Sequence, residues 1–408
     1  MDPQTRLHRE LIGLLRQHSA FCDQRHLLLL GWMVAGLLLS QTVCFDRWNS
    51  VLPLGHCLAA SWQRRVQRWL SNSRIDVEAL YGPLVLWAIQ HWQKPGQALH
   101  LALDTTMLWN RFCTVVLSVV AHGRAIPLLW MTLEHPSASV SAEIVIALLE
   151  RANQLLSGFA AITLLADRAF PSAELLGWFE AKPRWHYLMR LRADTWIQGT
   201  AAPMGCEVRR LRLPRGHCRG FRDVQLWADG SQRANLLLAH PSGIAVDEPW
   251  YLVSNLDPTL DLVWAYGQRF CCEQLFRDQK SGIFQLESSG LRDPARIDRL
   301  LLVVVAIAVL VSSLQGFAVT LAGQRRRVDP HWQRGLSFVR IGLATLQTFV
   351  ADTKAKLMTW MPIPQRDLGP CIPSRGVRRR RKQPWFTRIE LPPRSQTQRL
   401  DPLPLAVA

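Results

Sequence analysis

A chain of 408 residues that is 49% hydrophobic can bury a substantial core and has room for two or three domains. Its 48 Lys and Arg against 31 Asp and Glu give a net charge of +17, which favours a polyanionic partner, either nucleic acid or an anionic membrane surface. Nine cysteines, an odd count with no C-x-x-C pair, show no disulfide framework or zinc spacing and argue for free thiols in a reducing cytoplasm.

The opening Met-Asp-Pro-Gln-Thr-Arg has no signal-peptide pattern. Residues 1–95 carry strong helical periodicity and are expected to form a helical DNA-binding domain. Within it Leu27–Leu39 is apolar but spans only 13 residues, too short to cross a bilayer. Ser61–Leu70 is a basic amphipathic segment. Its Arg64, Arg65 and Arg68 lie on one side, suited to a DNA backbone or groove, or to a solvated helix face.

From about residue 97 the period changes. Leu99–Asp104 is a short apolar run ending in an acid, and Phe112–Ala121 and Ala125–Thr132 are two β-rich runs joined by the hairpin signal His122-Gly123-Arg124. Ala142–Leu156 reads as a helix, Ile162–Ala166 as a buried strand followed by Asp167, Pro171–Ala181 as a helix and Trp185–Arg192 as a strand. Over residues 96–193 this alternation predicts a mixed α/β sheet flanked by helices, with Asp104 and Asp167 at strand ends, where sheet-based sites collect their residues. Residues 194–258 alternate short β-like runs (Val224–Trp227, Leu236–Ala239, Trp250–Val253) with turn residues and predict a β-rich insertion.

Asp257-Pro258 supplies a helix cap and first-turn proline, opening the second part of the α/β core, residues 259–350. Leu300–Val311 reads as a buried helix, since Ser312, Ser313 and Gln315 interrupt it and arginines flank it; a membrane-associated protein is the rival reading. From Thr320 to Ala408 there are 17 Lys or Arg against 5 Asp or Glu, clustered at Arg325–Arg327 and Arg378–Lys382. Residues 351–408, rich in Pro and Arg, are expected to form a largely disordered basic tail that either holds phosphates or merely solvates the chain.

The spacing of Tyr266, Arg269, Glu273 and Lys280 is the most specific pattern. If Trp264–Gly282 is one helix turning about 100° per residue, then with Tyr266 at zero the other three fall near roughly 300°, 340° and 320°. Four distinct polar groups then share one stripe along the edge of the apolar face. Such a stripe is a solvated face with weak i,i+4 pairs, or the wall of a groove. Asp104, Asp167 and Glu273 favour the groove. Clustered carboxylates ionise together only beside a cation, and hard divalent ions take oxygen ligands while leaving positions for water and phosphate. Metal-assisted phosphodiester chemistry on DNA accounts for the acids, the stripe and the net charge together.

On these residues the chain resembles the bacterial insertion-sequence DDE transposases that carry a Tyr–Arg–Glu–Lys (YREK) signature. The resemblance rests on Tyr266-x-x-Arg269-x-x-x-Glu273 followed seven residues later by Lys280, on Leu103-Asp104-Thr105-Thr106, and on Leu165-Ala166-Asp167-Arg168-Ala169-Phe170. It covers roughly residues 5–350. Phe270 departs from it, standing where many relatives carry tryptophan.

The resemblance implies an RNase H-like catalytic core with a β-rich insertion, and two Mg²⁺ (or Mn²⁺) ions held by Asp104, Asp167 and Glu273. It implies nicking of the element's terminal inverted repeats and strand transfer into target DNA. Tyr266, Arg269 and Lys280 would contact phosphates near the cleaved end, with Arg168 a weaker candidate. Double-stranded DNA is the expected partner, with a homodimer in a synaptic complex, no membrane, and a cytoplasmic, nucleoid-associated location. The rival from another class is a catalytically silent, sequence-specific DNA-binding protein or repressor derived from a transposase.

Overall fold

The computed structural model describes residues 3–393, apart from Cys22, Leu54, His56, Pro95, Ala245, Asp247 and the stretch 373–383, with only the backbone at 302–304. The cluster Arg378–Lys382 and the end of the expected tail therefore lie outside the described residues. The chain begins with α1 (Pro3–His18), α2 (Gln24–Ser40), the single turn α3 (Phe45–Trp48), α4 (Ala59–Ser71) and α5 (Val77–Ala88). Local chemistry sets their ends. Asp23 caps α2 through Arg25 N, Asp76 caps α5 through Ala79 N, and Gln41 closes α2 in the left-handed region. In α4 the buried Trp62, Val66, Trp69 and Leu70 follow helical spacing, and Arg64, Arg65 and Arg68 are left exposed.

A three-strand meander follows: β1 (Leu99–Leu108), β2 (Phe112–Ala121) and β3 (Arg124–Glu134), paired antiparallel. Its β2–β3 turn has positive φ at His122 and Gly123, the twist that a two-residue hairpin requires. β3 contains Pro127, which donates nothing to the ladder. The register shifts opposite it at Leu117/Ser118, and the Pro127 carbonyl accepts from Tyr81 Oη of α5 at 2.7 Å. Two crossovers through α6 (Ala142–Leu155) and α7 (Ala173–Glu180) then place β4 (Ile162–Ala166) and β5 (Trp185–Arg190) parallel to β1. The strand order β3-β2-β1-β4-β5 is the RNase H-like arrangement.

The strands of residues 194–258 do not stand apart from this sheet. β6 (Trp196–Gly199), β7 (Ala202–Glu207), β8 (His217–Leu226), β9 (Gln232–His240) and β10 (Trp250–Ser254) extend it, with β10 antiparallel to β5 and the order continuing β9-β8-β6-β7. After β10 come α8 (Leu260–Gln268), α9 (Cys271–Arg277), a π-helical turn at Asp278–Gly282, α10 (Pro294–Arg299), a π-helical stretch at Leu300–Ala306, α11 (Ile307–Leu321) and α12 (Phe338–Ala351). α1 and α2 pack against α12, and α2 also touches α11. Arg6 Nη2 ties α1 to Ala355 O at 2.8 Å.

Four sequence expectations are corrected here. Trp264–Gly282 is not one helix: it breaks at Arg269-Phe270 and ends in the π turn, so the uniform rotation assumed for the stripe does not hold through Lys280. Asp257 does not cap α8; its carboxylate takes Arg222 Nε at 2.9 Å and Nη2 at 3.2 Å, and Thr259 stands at the cap position. β1 runs past Asp104 because β2 continues to pair with it as far as Leu108↔Phe112. Within the expected disordered tail, β11 (Arg388–Glu390) pairs parallel with β8, because Trp385 provides an apolar anchor against Trp264, with centroids 3.8 Å apart.

The helix that carries the Leu300–Val311 run continues to Leu321, with Leu300, Leu301 and residues 305–319 buried. Ser313 Oγ donates to Val309 O at 2.7 Å and Gln315 Nε2 to Met358 O at 2.8 Å, while Ser312 Oγ and Gln315 Oε1 are buried without a partner. Among the described residues, no helix is long and apolar enough to cross a membrane.

Candidate active site

The site begins with strand register. β1 and β4 pair in parallel up to Leu103↔Ala166, so Asp104 and Asp167 are the next residues on adjacent strands, both at the carboxyl end of the parallel pair. Each carboxylate is fixed by the backbone that follows it. Thr105 N donates to Asp104 Oδ1 at 2.9 Å, and Arg168 N to Asp167 Oδ1 at 2.7 Å.

The third acid arrives on α9, which packs against β1 and β3. Arg269, at the break between α8 and α9, is 5% exposed and reaches both strand and helix. Its Nη1 donates to Asp104 Oδ2 at 3.0 Å, while Nη2 lies 3.7 Å from Glu273 Oε1. Glu273 itself remains open to solvent, with 58% of its side chain exposed.

Electrostatics couple the three acids. Burial pushes the Asp104 carboxyl above its ordinary range; Arg269 and the Thr105 N–H oppose this, and the neighbouring Asp167 and Glu273 charges add to it. Tyr266 is fully buried against Trp250 and Phe270, and burial pushes its phenol up to about 12. It therefore stays a neutral hydroxyl. Both Tyr266 Oη and Arg269 Nε are buried without a hydrogen-bond partner, which leaves two unused donors beside the acids.

The other predicted residues are placed differently. Lys280 lies on the π turn, 4.0 Å from Glu287 Oε1, beside the β1–β2 turn whose Trp109 Nε1 donates to Glu287 O at 2.9 Å. Arg168 points to Glu248 at 3.4 Å, an acid it shares with Arg190. Arg64, Arg65 and Arg68 lie on α4, which packs against α2 and α10.

Sequence reasoning missed Arg124 and Asp278, a fully buried ion pair that joins the start of β3 to the π turn. Gln274 Nε2 donates to the other Asp278 oxygen at 2.9 Å, and the Asp278 carbonyl accepts from Ile283 N and Phe284 N. Asp278 stands among Arg277, Gln279, Lys280 and Ser281, so nothing local in the sequence hinted at its burial. The partner lies 154 residues away.

A model of the family described as "Transposase DDE domain" matches residues 94–310, more than half the chain and a span that contains all three acids. The chain belongs to that family. Transposases of the DDE family act on DNA with divalent metal ions. Among solved structures the DDE chain is similar to a piggyBac transposase synaptic complex with hairpin DNA, at 13% identity and a TM-score of 0.40, over 97% of this chain and 87% of that one. It is also similar to the catalytic domain of human Endonuclease V, at 14% identity and a TM-score of 0.26, over 55% of this chain and 97% of that one. Both likenesses are too distant to carry chemistry across. No curated protein matches the chain in sequence.

A divalent ion suits this DDE site in charge and donor type. The acids are hard oxygen donors, and a nearby cation would oppose the upward shift that burial gives the Asp104 carboxyl. The spacing is another matter. Among the described residues no three acidic, His or Cys side chains stand close enough to share an ion, because Arg269 holds Asp104 and Glu273 from between them. The guanidinium stands in for the cation, so sharing an ion requires these side chains to rearrange.

Proposed function

We propose that this chain is the transposase of a bacterial insertion sequence, which binds the element's terminal inverted repeats, nicks them and joins the freed 3′ ends to target DNA. The single observation that carries this reading is the register of β1 and β4, which sets Asp104 beside Asp167, together with the Arg269 link from that pair to Glu273. Asp104, Asp167 and Glu273 would hold two divalent ions, Mg²⁺ or Mn²⁺, and such ions lower the pKa of water and stabilise both oxygens of an in-line displacement at phosphorus.

The chain's own donors have separate work. Tyr266 Oη and Arg269 Nε are buried donors with no partner, suited to non-bridging oxygens of the scissile phosphate. When Arg269 turns toward a phosphate it releases Asp104, whose full negative charge then becomes available to a cation. Burial of Tyr266 and Arg269 excludes water from that side and strengthens their hold on an anion. Lys280 and Arg168, half-buried and exposed respectively, would hold phosphates further along the strand, and Arg64, Arg65 and Arg68 would lie along the duplex. Holding two ends together calls for two copies of the chain.

Incubating the purified protein with duplexes that carry the flanking inverted repeats and Mg²⁺ tests the reading. We expect strand-specific nicks at the repeat boundary. Specific binding without any nick, in Mg²⁺ and in Mn²⁺, would favour the silent DNA-binding protein instead.

A further inference from the structure

The α11–α12 pair carries a loop that the site above does not use. The two helices cross without room for side chains: a Cβ on Gly342 would lie 1.7 Å from Ser312 O, and one on Gly316 would lie 2.0 Å from Phe338 O. Backbone contact this close fixes both ends of the connection, residues 322–337. The loop then folds around Asp329, which is fully buried. Asp329 Oδ2 accepts from Arg325 Nη1 at 2.7 Å and Gly335 N at 2.9 Å, and Oδ1 accepts from His331 N at 3.1 Å. Arg325 also donates to His331 O at 2.9 Å and Trp332 O at 2.7 Å. A Cβ at Gly335 would meet the His331 ring at 2.0 Å, so the ring packs directly on that backbone.

A loop with this internal skeleton nevertheless leaves Trp332 80% exposed. The Arg326 guanidinium lies 5.0 Å from the Trp332 ring centroid, covering at most one face, and both Arg326 and Arg327 are exposed. A large aromatic held in water by a pinned backbone gains nothing from its own fold. Beside adjacent cations it matches the way proteins grip a nucleic-acid strand, with bases stacked on aromatic faces and phosphates on basic groups. Bases inside a duplex have both faces covered by their neighbours, so the ring calls for an unpaired base.

We propose that loop 322–337 is a second DNA contact, in which Trp332 stacks on an unpaired base while Arg326 and Arg327 hold the phosphates of the same strand. The proposal rests on the DNA-processing reading for the origin of such a strand, since nicked or opened ends supply unpaired bases.

Fluorescence anisotropy on the full chain separates the possibilities, with a labelled single-stranded 20-mer and its blunt duplex as probes. We expect Trp332→Ala to weaken single-strand binding about 5–150-fold, the usual range for losing one stacked base, and to leave blunt-duplex binding unchanged. Trp332→Phe should keep most of the affinity, and Arg326→Ala with Arg327→Ala should weaken both probes and flatten their salt dependence. Single-strand binding by Trp332→Ala equal to wild type, an equal loss on both probes, or Trp332→Phe as weak as Trp332→Ala would each overturn it. So would a change of oligomeric state in Trp332→Ala, which would assign the ring to a second copy. Nicking of repeat ends is scored separately in wild type. Loss of nicking with stacking intact counts against the transposase reading alone, and the reverse outcome counts against this loop alone.

Discussion

Arg269 carries the most consequence of any single side chain. It is buried, joins Asp104 to Glu273, and keeps one donor unused. Arg269→Ala should weaken binding to the element's ends and reduce the slope of log affinity against log salt by about one, as expected for one lost phosphate contact. An unchanged slope would confine Arg269 to a structural role. A second residue sets a pH dependence. Burial raises the Asp298 carboxyl from the ordinary 3.8 to about 7, against hydrogen bonds from Thr132. The folded chain therefore binds an extra proton between these values, and stability from this group falls as pH rises through that window. Above about 7 the carboxylate is ionised while one oxygen remains buried without a partner. Asp298→Asn should then raise the melting temperature at pH 8 and have little effect near pH 3. The same shift at both pH values would contradict this.

Strands were more legible than the segment that carries Glu273. The β2–β3 hairpin and the strands on either side of it could be read because their residues alternate or run apolar between turn signals, and that pattern is local. The break at Arg269-Phe270 was not legible, since both residues keep right-handed helical dihedrals and neither is a helix breaker. The π turn depends on Asp278 meeting Arg124 in space, which no local period reveals. That pair should be costly to break. Arg124→Ala leaves the Asp278 carboxylate buried without its counter-charge and should lower stability by about 3–5 kcal/mol. Chemical denaturation would measure it, and a loss within about 0.5 kcal/mol, the usual range for surface substitutions, would show that the turn holds without the pair.

Across the molecule, one sheet unites segments that the sequence presented as separate. The order of strands and acids could be read, but not the fusion of the β-rich stretch to β5, because the β10–β5 pairing joins residues that lie far apart along the chain. Nor was the return of the C-terminal segment, whose isolated apolar residues were masked by basic and proline-rich surroundings. There Trp385 lies against Trp264, and Thr387 N donates to Gly216 O at 2.7 Å, so one short stretch links α8 with the extended end of the sheet. Trp385→Ala should cost about 1–3 kcal/mol of stability through lost apolar burial, read as a lower melting temperature; an unchanged value would mean that β11 contributes no stability. The central claim is that Asp104, Asp167 and Glu273 act as one metal-dependent site. Its most direct measurement is Mg²⁺-dependent nicking of repeat-end DNA by Asp104→Asn, Asp167→Asn and Glu273→Gln, with end binding followed in the same samples. Each variant should lose cleavage entirely while binding stays within a few-fold of wild type, and wild-type-like nicking by any one of them would contradict the claim.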